Sequence, residues 1–589
     1  MTAASLGLLA LMASGPFLLP FHLPPIPSFW SEWWAGVLGL AAVATGVAGV
    51  RASKVGLPAV VAMPTVLCTM ILLQLAAGRL DFPQFGLLYA AYLLWAAMLM
   101  ILGHSLVKSV GFVRLADVMA AAFLVGALAA APVAIAQWLG FSEGSEWLFP
   151  KFGSNVYSNL GQANHYAHYS WLGVASAIYL RERGVLGRWM LWLVLLLTIF
   201  GSVLTGSRGV FVFALVIFAA SAWKDVRAGA GFSGTLATGA ALLLPAALVL
   251  SLAGSLLSPL VIGIGAASGL PAAESAGSVM SGARLFDAVS GQSARLELAR
   301  GAWWIFLQRP WLGVGVGNFG WASFLAASTA DHGSPVMVGE HAHNLVLHLL
   351  AEFGVLATGA VVLVVVLWAG RFLRQRWGPE HAWCAAVLGI GAVHACLEYP
   401  LWYAYFLGPA ALLLGATAGG ARLEFPRWRA MVYLCLFVAG GAAILAGLRQ
   451  DYSTIETAVF RPLAAHQERE QAWRITMERL LRMQRESLLS PWALLVFTNL
   501  TEPSRELVDQ RIVICQRGIR LTPARSLVTK CAMQLALGGR GDEALELARQ
   551  ALRAFPQQEV VTREEFARHA RDYPEVRPLA ALGAVAAGK

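Results

Sequence analysis

Charge is scarce in this sequence. Lys, Arg, Asp and Glu make up only 13% of its 589 residues while 58% are hydrophobic, against about 25% charged in an ordinary soluble domain. That shortage excludes a single soluble globule and is the composition of a polytopic membrane protein. The first fifty residues hold no Lys or Arg, so they lack the basic n-region of a cleaved signal peptide, and the first apolar segment is expected to be retained. Cysteine is sparse too. Of six, Cys68, Cys384, Cys396 and Cys435 sit in apolar runs as small hydrophobes, and they carry little redox information. The net charge of +10 does not imply a nucleic-acid partner, because the excess lies in short loops between apolar runs and not on one soluble face.

What charge there is collects at one end: residues 450–589 hold 20 Lys/Arg and 17 Asp/Glu. The sequence therefore divides into a membrane part, residues 1–449, and a soluble tail, 450–589. Spanning the hydrocarbon takes about 20 apolar residues in a helix. Apolar runs predict thirteen such helices, near 4–23, 34–50, 57–77, 84–103, 117–139, 167–181, 189–205, 209–223, 234–255, 343–370, 382–398, 402–420 and 430–448. With the N-terminus inside, the short inner loops carry fifteen Lys/Arg and the short outer loops three: Arg79, Lys151 and Arg208. The positive-inside bias then places the long loop 256–342 and the tail outside. The tail reads as helical, and its stretch Ala536–Pro556 has the small-residue spacing of a tetratricopeptide-like helical pair. An oxidising compartment would permit Cys515 and Cys531 to pair, although both could equally be buried thiols.

Against so apolar a background, polar groups at a span's edge are candidates for function, because their burial is costly. Four clusters fall on the expected outer side. In G-Q-A-N-H-Y-A-H-Y, Gly161–Tyr169, the side chains of Gln162, Asn164 and His165 supply donors and acceptors suited to hydroxyl-rich ligands; a capped helix start with interfacial tyrosines is the plainer reading. In T-G-S-R-G, Thr205–Gly209, Arg208 offers a planar fork matched to phosphate oxygens, or simply snorkels to a headgroup. In Q-S-A-R-L-E-L-A-R-G-A-W-W, Arg295 and Trp303 share a face of an amphipathic helix, and Arg295 could join Arg208 on a diphosphate. The glycines of Gly313–Gly320 form a formal G-x-G-x-x-G, but no βαβ unit surrounds them, so a tight turn is expected and not a dinucleotide site.

The fourth cluster is G-E-H-A-H-N-L-V-L-H, Gly339–His348. His341 and His343 have a spacing suited to two metal ligands on a strand, but a metal site needs a third ligand and ordered partners, so no metal is expected. Neutral imidazole can accept a hydroxyl proton near pH 7, which makes a general base the better use, with Asn344 orienting it or its substrate. Finally, H-A-C-L-E-Y-P-L-W-Y-A-Y-F, His394–Phe406, turns at Pro400 and brings Glu398, Tyr399 and Tyr403 to the same side.

Taken together, N-L-G-Q-A-N-H-Y-A at Asn159–Ala167, G-S-R-G at Gly206–Gly209, S-A-R-L at Ser293–Leu296, G-V-G-V-G-N-F at Gly313–Phe319, E-H-A-H-N with its following E-F-G, and the His394–Phe406 motif resemble the O-antigen ligase and polymerase superfamily. Within it they are most similar to bacterial O-linked oligosaccharyltransferases, the pilin glycosylation ligases. The resemblance implies an all-α polytopic membrane fold of the GT-C-like O-antigen ligase type. It also implies transfer of an oligosaccharide from undecaprenyl diphosphate to a Ser or Thr hydroxyl of a pilin-like protein, at the periplasmic face of the inner membrane. His343 matches the family's essential histidine, and Arg208 and Arg295 its diphosphate-binding arginines. Gln162, Asn164 and His165 match its glutamine and asparagine-histidine motif, and His341 has a less certain counterpart. No cofactor is expected. A ligase onto lipid A core, a polymerase extending the lipid-linked glycan and, from another class, a transporter of lipid-linked sugars are the competing readings; a transporter would place polar groups near the bilayer midplane within a repeated half.

Overall fold

In hydrocarbon a backbone has no water to bond, so an apolar run must satisfy its own N–H and C=O groups, and a helix does so within the segment. Each of the thirteen apolar runs contains a helix. The computed structural model describes residues 2–22, 24–49, 54–143, 145–228, 240–267, 280–281, 294–329, 336–420, 423–460, 474–475, 478–484 and 486–582; Ser293 of the S-A-R-L motif and parts of the long loop and tail lie outside them. In chain order the membrane part contains α1 (Thr2–Ser14), α2 (Phe29–Ala48), α3 (Ala62–Ala76), α4 (Pro83–Val110), α5 (Phe112–Leu139), α6 (Ala163–Glu182), α7 (Arg188–Val203), α8 (Gly209–Arg227) and α9 (Leu243–Ala267). The long loop contributes α10 (Ala294–Gln308) and α11 (Phe319–Ser328), followed by α12 (Leu345–Arg374), α13 (Pro379–Ala395), α14 (Ala404–Ala416) and α15 (Arg427–Phe460). The tail adds α16 (Ser490–Leu500), α17 (Val508–Leu521), α18 (Arg525–Leu537), α19 (Gly541–Ala554), α20 (Glu559–Asp572) and α21 (Arg577–Ala580). Among the described residues, seven helices are long and apolar enough to cross a membrane, and three shorter ones are also apolar. Among the described residues a single antiparallel pair, β1 (Lys54–Leu57) with β2 (Leu423–Pro426), registers Lys54 against Pro426 and Leu57 against Leu423.

The chain forms two compact units. The first comprises Met1–Thr65, Tyr92–Gly291 and Leu363–Leu445. Its centre is α6, in which every described residue from His165 to Ala177 is buried. Small residues allow that placement: a Cβ added to Gly173 would come within 2.3 Å of the Ala127 side chain, so glycine lets α6 lie directly on α5. Polar tips in α6 find partners on its neighbours. The Tyr169 hydroxyl donates to the Ala13 carbonyl (2.9 Å), the Trp171 indole to Ser202 Oγ (3.2 Å), and the Trp383 indole to Ser176 Oγ (3.0 Å).

The second unit comprises Val66–Ala91, Gln292–Val362 and Ala446–Lys589, which cuts across the sequence division at residue 449. The reason is visible in the core: Phe324 of α11 is fully buried among tail residues including Leu527, Met533, Ala548 and Phe566. A loop helix and the tail thus share one hydrophobic centre. Cys515 of α17 and Cys531 of α18 are joined as a disulfide, with Cα atoms 5.3 Å apart. The Ala536–Pro556 stretch runs from the end of α18 through a turn at Gly538–Gly539 into α19.

The glycine-rich run Gly313–Gly320 is more than a turn. Gly313, Gly315 and Gly317 have φ of 69°, 106° and 80°, and Gly354 of α12 has φ 73°. A Cβ at Gly313 would sit 2.2 Å from the Glu352 backbone, and one at Gly354 2.3 Å from the Trp311 carbonyl. The run wraps α12 at its break, and Val314 N–H, Gly315 N–H and Val355 N–H bond to the carbonyls of Ala351, Glu352 and Pro310. Glycine is needed for both conformation and approach.

Candidate active site

The first unit assembles one cluster of the expected residues. Gln162 caps α6, its side-chain oxygen accepting from His165 N–H at 2.7 Å. That cap fixes the first turn, so Asn164 and His165 leave it in set directions. Asn164 Nδ2 donates to Glu398 Oε1 at 2.9 Å. The buried His165 ring lies edge-on to Tyr403, centroids 4.7 Å apart, and to Phe406 at 5.3 Å. Its Nε2 is buried with no hydrogen-bond partner. Tyr399 and Tyr403 stack at 5.9 Å. Gln162, Asn164, His165, Glu398, Tyr399 and Tyr403 therefore form one constellation, built where the start of α6 meets the turn between α13 and α14.

Two buried histidines missing from the sequence reading complete it. His168 Nδ1 lies 2.8 Å from His394 Nδ1, and His168 stacks on Phe406 at 4.5 Å. The signals were present: His168 follows His165 by three residues on α6, so the two share a helical face, and His394 precedes Glu398 by four at the end of α13. Arg208, in the same unit, is exposed at the head of α8. A cation there opposes the helix dipole, so its position does not stabilise the helix.

The second unit holds the histidine segment. His343 has φ 48°, a left-handed conformation uncommon for a side-chain-bearing residue. It lies half-buried just before Asn344, whose Oδ1 accepts from Leu347 N–H at 3.1 Å and caps α12. Asn344 thus orders the helix start that His343 precedes. Ala342 is fully buried with Ala302, Ile305, Phe319 and Ala351, pinning the segment between its two histidines. Burial first, and then the neighbouring His348 and His343, hold the His341 imidazole well below its ordinary pKa.

His348 belongs to the scaffold. Its Nδ1 accepts from Ala342 N–H at 3.3 Å, which leaves the proton on Nε2, 3.3 Å from Glu352 Oε2. Glu352 Oε1 in turn accepts from Gly317 N–H (2.9 Å) and Phe319 N–H (3.3 Å). Gln74 completes the frame by donating to the carbonyls of Leu312 (2.8 Å) and Glu352 (2.7 Å). Both His348 nitrogens are thus engaged within this frame. The glutamate of E-F-G is the residue the sequence reading passed over as chemistry. Arg295 lies half-buried in the first turn of α10, in this same unit.

Comparison with known proteins bears on what these clusters do. A family described as "O-Antigen ligase" matches residues 193–362, and one described as "Virulence factor membrane-bound polymerase, C-terminal" matches 382–568. The chain is similar to a general O-oligosaccharyltransferase of Acinetobacter baylyi, 27% identical over 462 residues that cover 77% of each chain. The first family match spans Arg208, Arg295, His341, His343, Asn344 and Glu352; the second spans His394, Glu398, Tyr399, Tyr403 and most of the tail. On its helical membrane fold and on these matches, the chain is a glycosyltransferase similar to O-antigen ligases and O-oligosaccharyltransferases.

Proposed function

We propose that the protein transfers an oligosaccharide en bloc from undecaprenyl diphosphate to a Ser or Thr hydroxyl of a pilin-like protein. The transfer takes place at the periplasmic face of a bacterial inner membrane. The reading is supported most directly by His343: a half-buried imidazole fixed in a left-handed conformation at the mouth of α12, on a segment anchored by Ala342 and capped by Asn344. In this reading the acceptor oxygen attacks the anomeric carbon as its proton passes to His343. The bond from that carbon to the diphosphate breaks, and the electron pair leaves on phosphate oxygen, where Arg208 and Arg295 stabilise the developing charge. One displacement inverts the anomeric centre, needs no metal ion and forms no covalent glycosyl-enzyme.

The Gln162, Asn164, His165, Glu398, Tyr399 and Tyr403 constellation serves substrate recognition and support, because its hydroxyls, amides and carboxyl suit hydroxyl-rich sugar. Thirteen crossings, with 1–449 as the transferase part and 450–589 as a periplasmic, tetratricopeptide-like helical tail, match the apolar runs and the bias of basic residues. A Cys515–Cys531 disulfide suits that oxidising side. The test is glycan transfer by His343→Ala and Arg208→Ala variants confirmed to insert in the membrane. Both should lose transfer; full activity in His343→Ala would remove the base, and loss of activity to a chelator with recovery on adding a divalent ion would replace this mechanism by a metal-dependent one.

A further inference from the structure

The second unit contains a cavity of about 610 Å³ whose lining includes Phe82, Trp321 of α11, Gln516 and Arg520 of α17, and Glu546 and Gln550 of α19. Its volume falls within the range of specific ligand pockets, roughly 300–1,000 Å³. The character of the wall narrows the ligand.

Most of its charges are already matched. Arg520 pairs with Asp81 at 3.1 Å, Glu546 with Arg549 at 3.5 Å, and Glu543 with Arg540 at 2.5 Å. The remaining cation, Arg517, lies over the Phe82 ring at 6.0 Å. With three ion pairs and Arg517 as the one cation outside them, the wall offers a strongly charged ligand little net complement. Of its aromatic rings, Phe82 is 3% exposed beneath Arg517, and one face of Trp321 stacks on Phe324 at 5.1 Å. What the wall does offer is the apolar side chain of Leu547 beside the carboxamides of Gln516 and Gln550, the latter giving one N–H to Glu546 Oε1 at 3.2 Å and keeping the other and its oxygen; a carboxamide carries both the donor and the acceptor that a peptide backbone matches.

The wall also runs directly into the histidine segment. Thr522, two residues beyond Arg520, donates from Oγ1 to Glu340 at 3.2 Å, and Glu340 adjoins His341. The Cys515–Cys531 disulfide ties the helix bearing Gln516, Arg517 and Arg520 to α18, so the wall is braced.

We propose that this cavity docks an uncharged, extended segment of the acceptor polypeptide, one apolar side chain entering beside Leu547 while Gln516 and Gln550 bond its backbone. The proposal rests on the reading of the acceptor as a protein, and its test separates the two. The full chain in nanodiscs is first assayed with a pilin-like acceptor protein; absence of transfer by the wild type overturns the protein-acceptor reading itself. With transfer established, Gln516→Ala/Gln550→Ala should raise the KM for that acceptor about ten-fold, the loss expected for two hydrogen bonds, with kcat little changed and the KM for the lipid-linked donor unmoved. An unchanged acceptor KM overturns the docking proposal and leaves the chemistry intact. As a check independent of kinetics, a photo-crosslinking residue in place of Val513, 57% exposed on the cavity lining, should capture the acceptor at residues flanking the modified Ser or Thr. Capture of no acceptor, or competition by the free oligosaccharide released from the donor, overturns it.

Discussion

Replacing Glu352 by alanine removes one side chain and leaves three donors unanswered. Gly317 N–H at 2.9 Å, Phe319 N–H at 3.3 Å and the His348 Nε2 proton at 3.3 Å all point at its carboxyl oxygens, and Glu352 is only 3% exposed. A buried donor left unpaired costs about 1–3 kcal/mol. Allowing for water entering the vacated space, Glu352→Ala should destabilise the frame by roughly 4 kcal/mol. Glutamine is a sharper probe. Its side-chain oxygen can still serve Gly317 and Phe319, but its amide would meet the His348 proton, and His348 cannot change tautomer without turning a proton on Ala342 N–H. The cost should then be about 1–2 kcal/mol, one conflict and not three. Hydrogen exchange measures this locally: at 1.4 kcal/mol per decade, the Gly317 and Phe319 amides should exchange about a thousand-fold faster in Glu352→Ala and about ten-fold faster in Glu352→Gln. Glycan transfer should fall at least ten-fold in the alanine variant, since the segment carrying His343 loses its clamp. Unchanged exchange at both amides together with unchanged transfer would refute this reasoning.

Other outcomes follow from the same geometry. Gly354→Ala combines φ 73° with a Cβ 2.3 Å from the Trp311 carbonyl; it should cost at least about 2 kcal/mol and lower the thermal midpoint of the purified protein. Phe324→Ala empties a fully buried position in the shared core of α11 and the tail and should cost about 3–5 kcal/mol, read as tail-wide loss of exchange protection. For His341 the folded chain holds the pKa below the unfolded value of 6.5, so the folded state binds fewer protons. Stability is therefore undiminished above pH 6.5 and declines as pH falls beneath it, where the unfolded state takes up the proton. Thermal midpoints measured from about pH 8 to about pH 5 should therefore fall more steeply for the wild type than for His341→Gln.

How much of this was legible depends on the range of the interaction. Helices were readable because an apolar run in hydrocarbon has few alternatives, and the Gln162 cap is local, linking residues three apart. The packing order was not. Nothing in the run of α6 says that it is central, because buried and lipid-facing apolar residues look alike in sequence; only small residues such as Gly173, close against Ala127, carry that information. The glycine-rich run was read correctly as a turn, yet its purpose depends on the α12 backbone some forty residues away. The same holds for Glu352, His394 and His168, whose partners are distant in sequence and set by the fold. His348 was ambiguous for the opposite reason: three nearby histidines suggest one shared role, and only the Ala342 and Glu352 contacts separate scaffold from chemistry. The division at residue 449 followed composition, whereas the core joins α11 to the tail through Phe324.

The most direct test of the whole account is the mass of an acceptor protein after reaction in proteoliposomes. These would hold the purified chain, an undecaprenyl diphosphate-linked oligosaccharide of known mass and a pilin-like protein. The wild type should add the complete oligosaccharide in one step to a Ser or Thr, and membrane-inserted His343→Ala should add none. Transfer by His343→Ala at the wild-type rate, or sugar found only on a lipid acceptor supplied alongside, would contradict it.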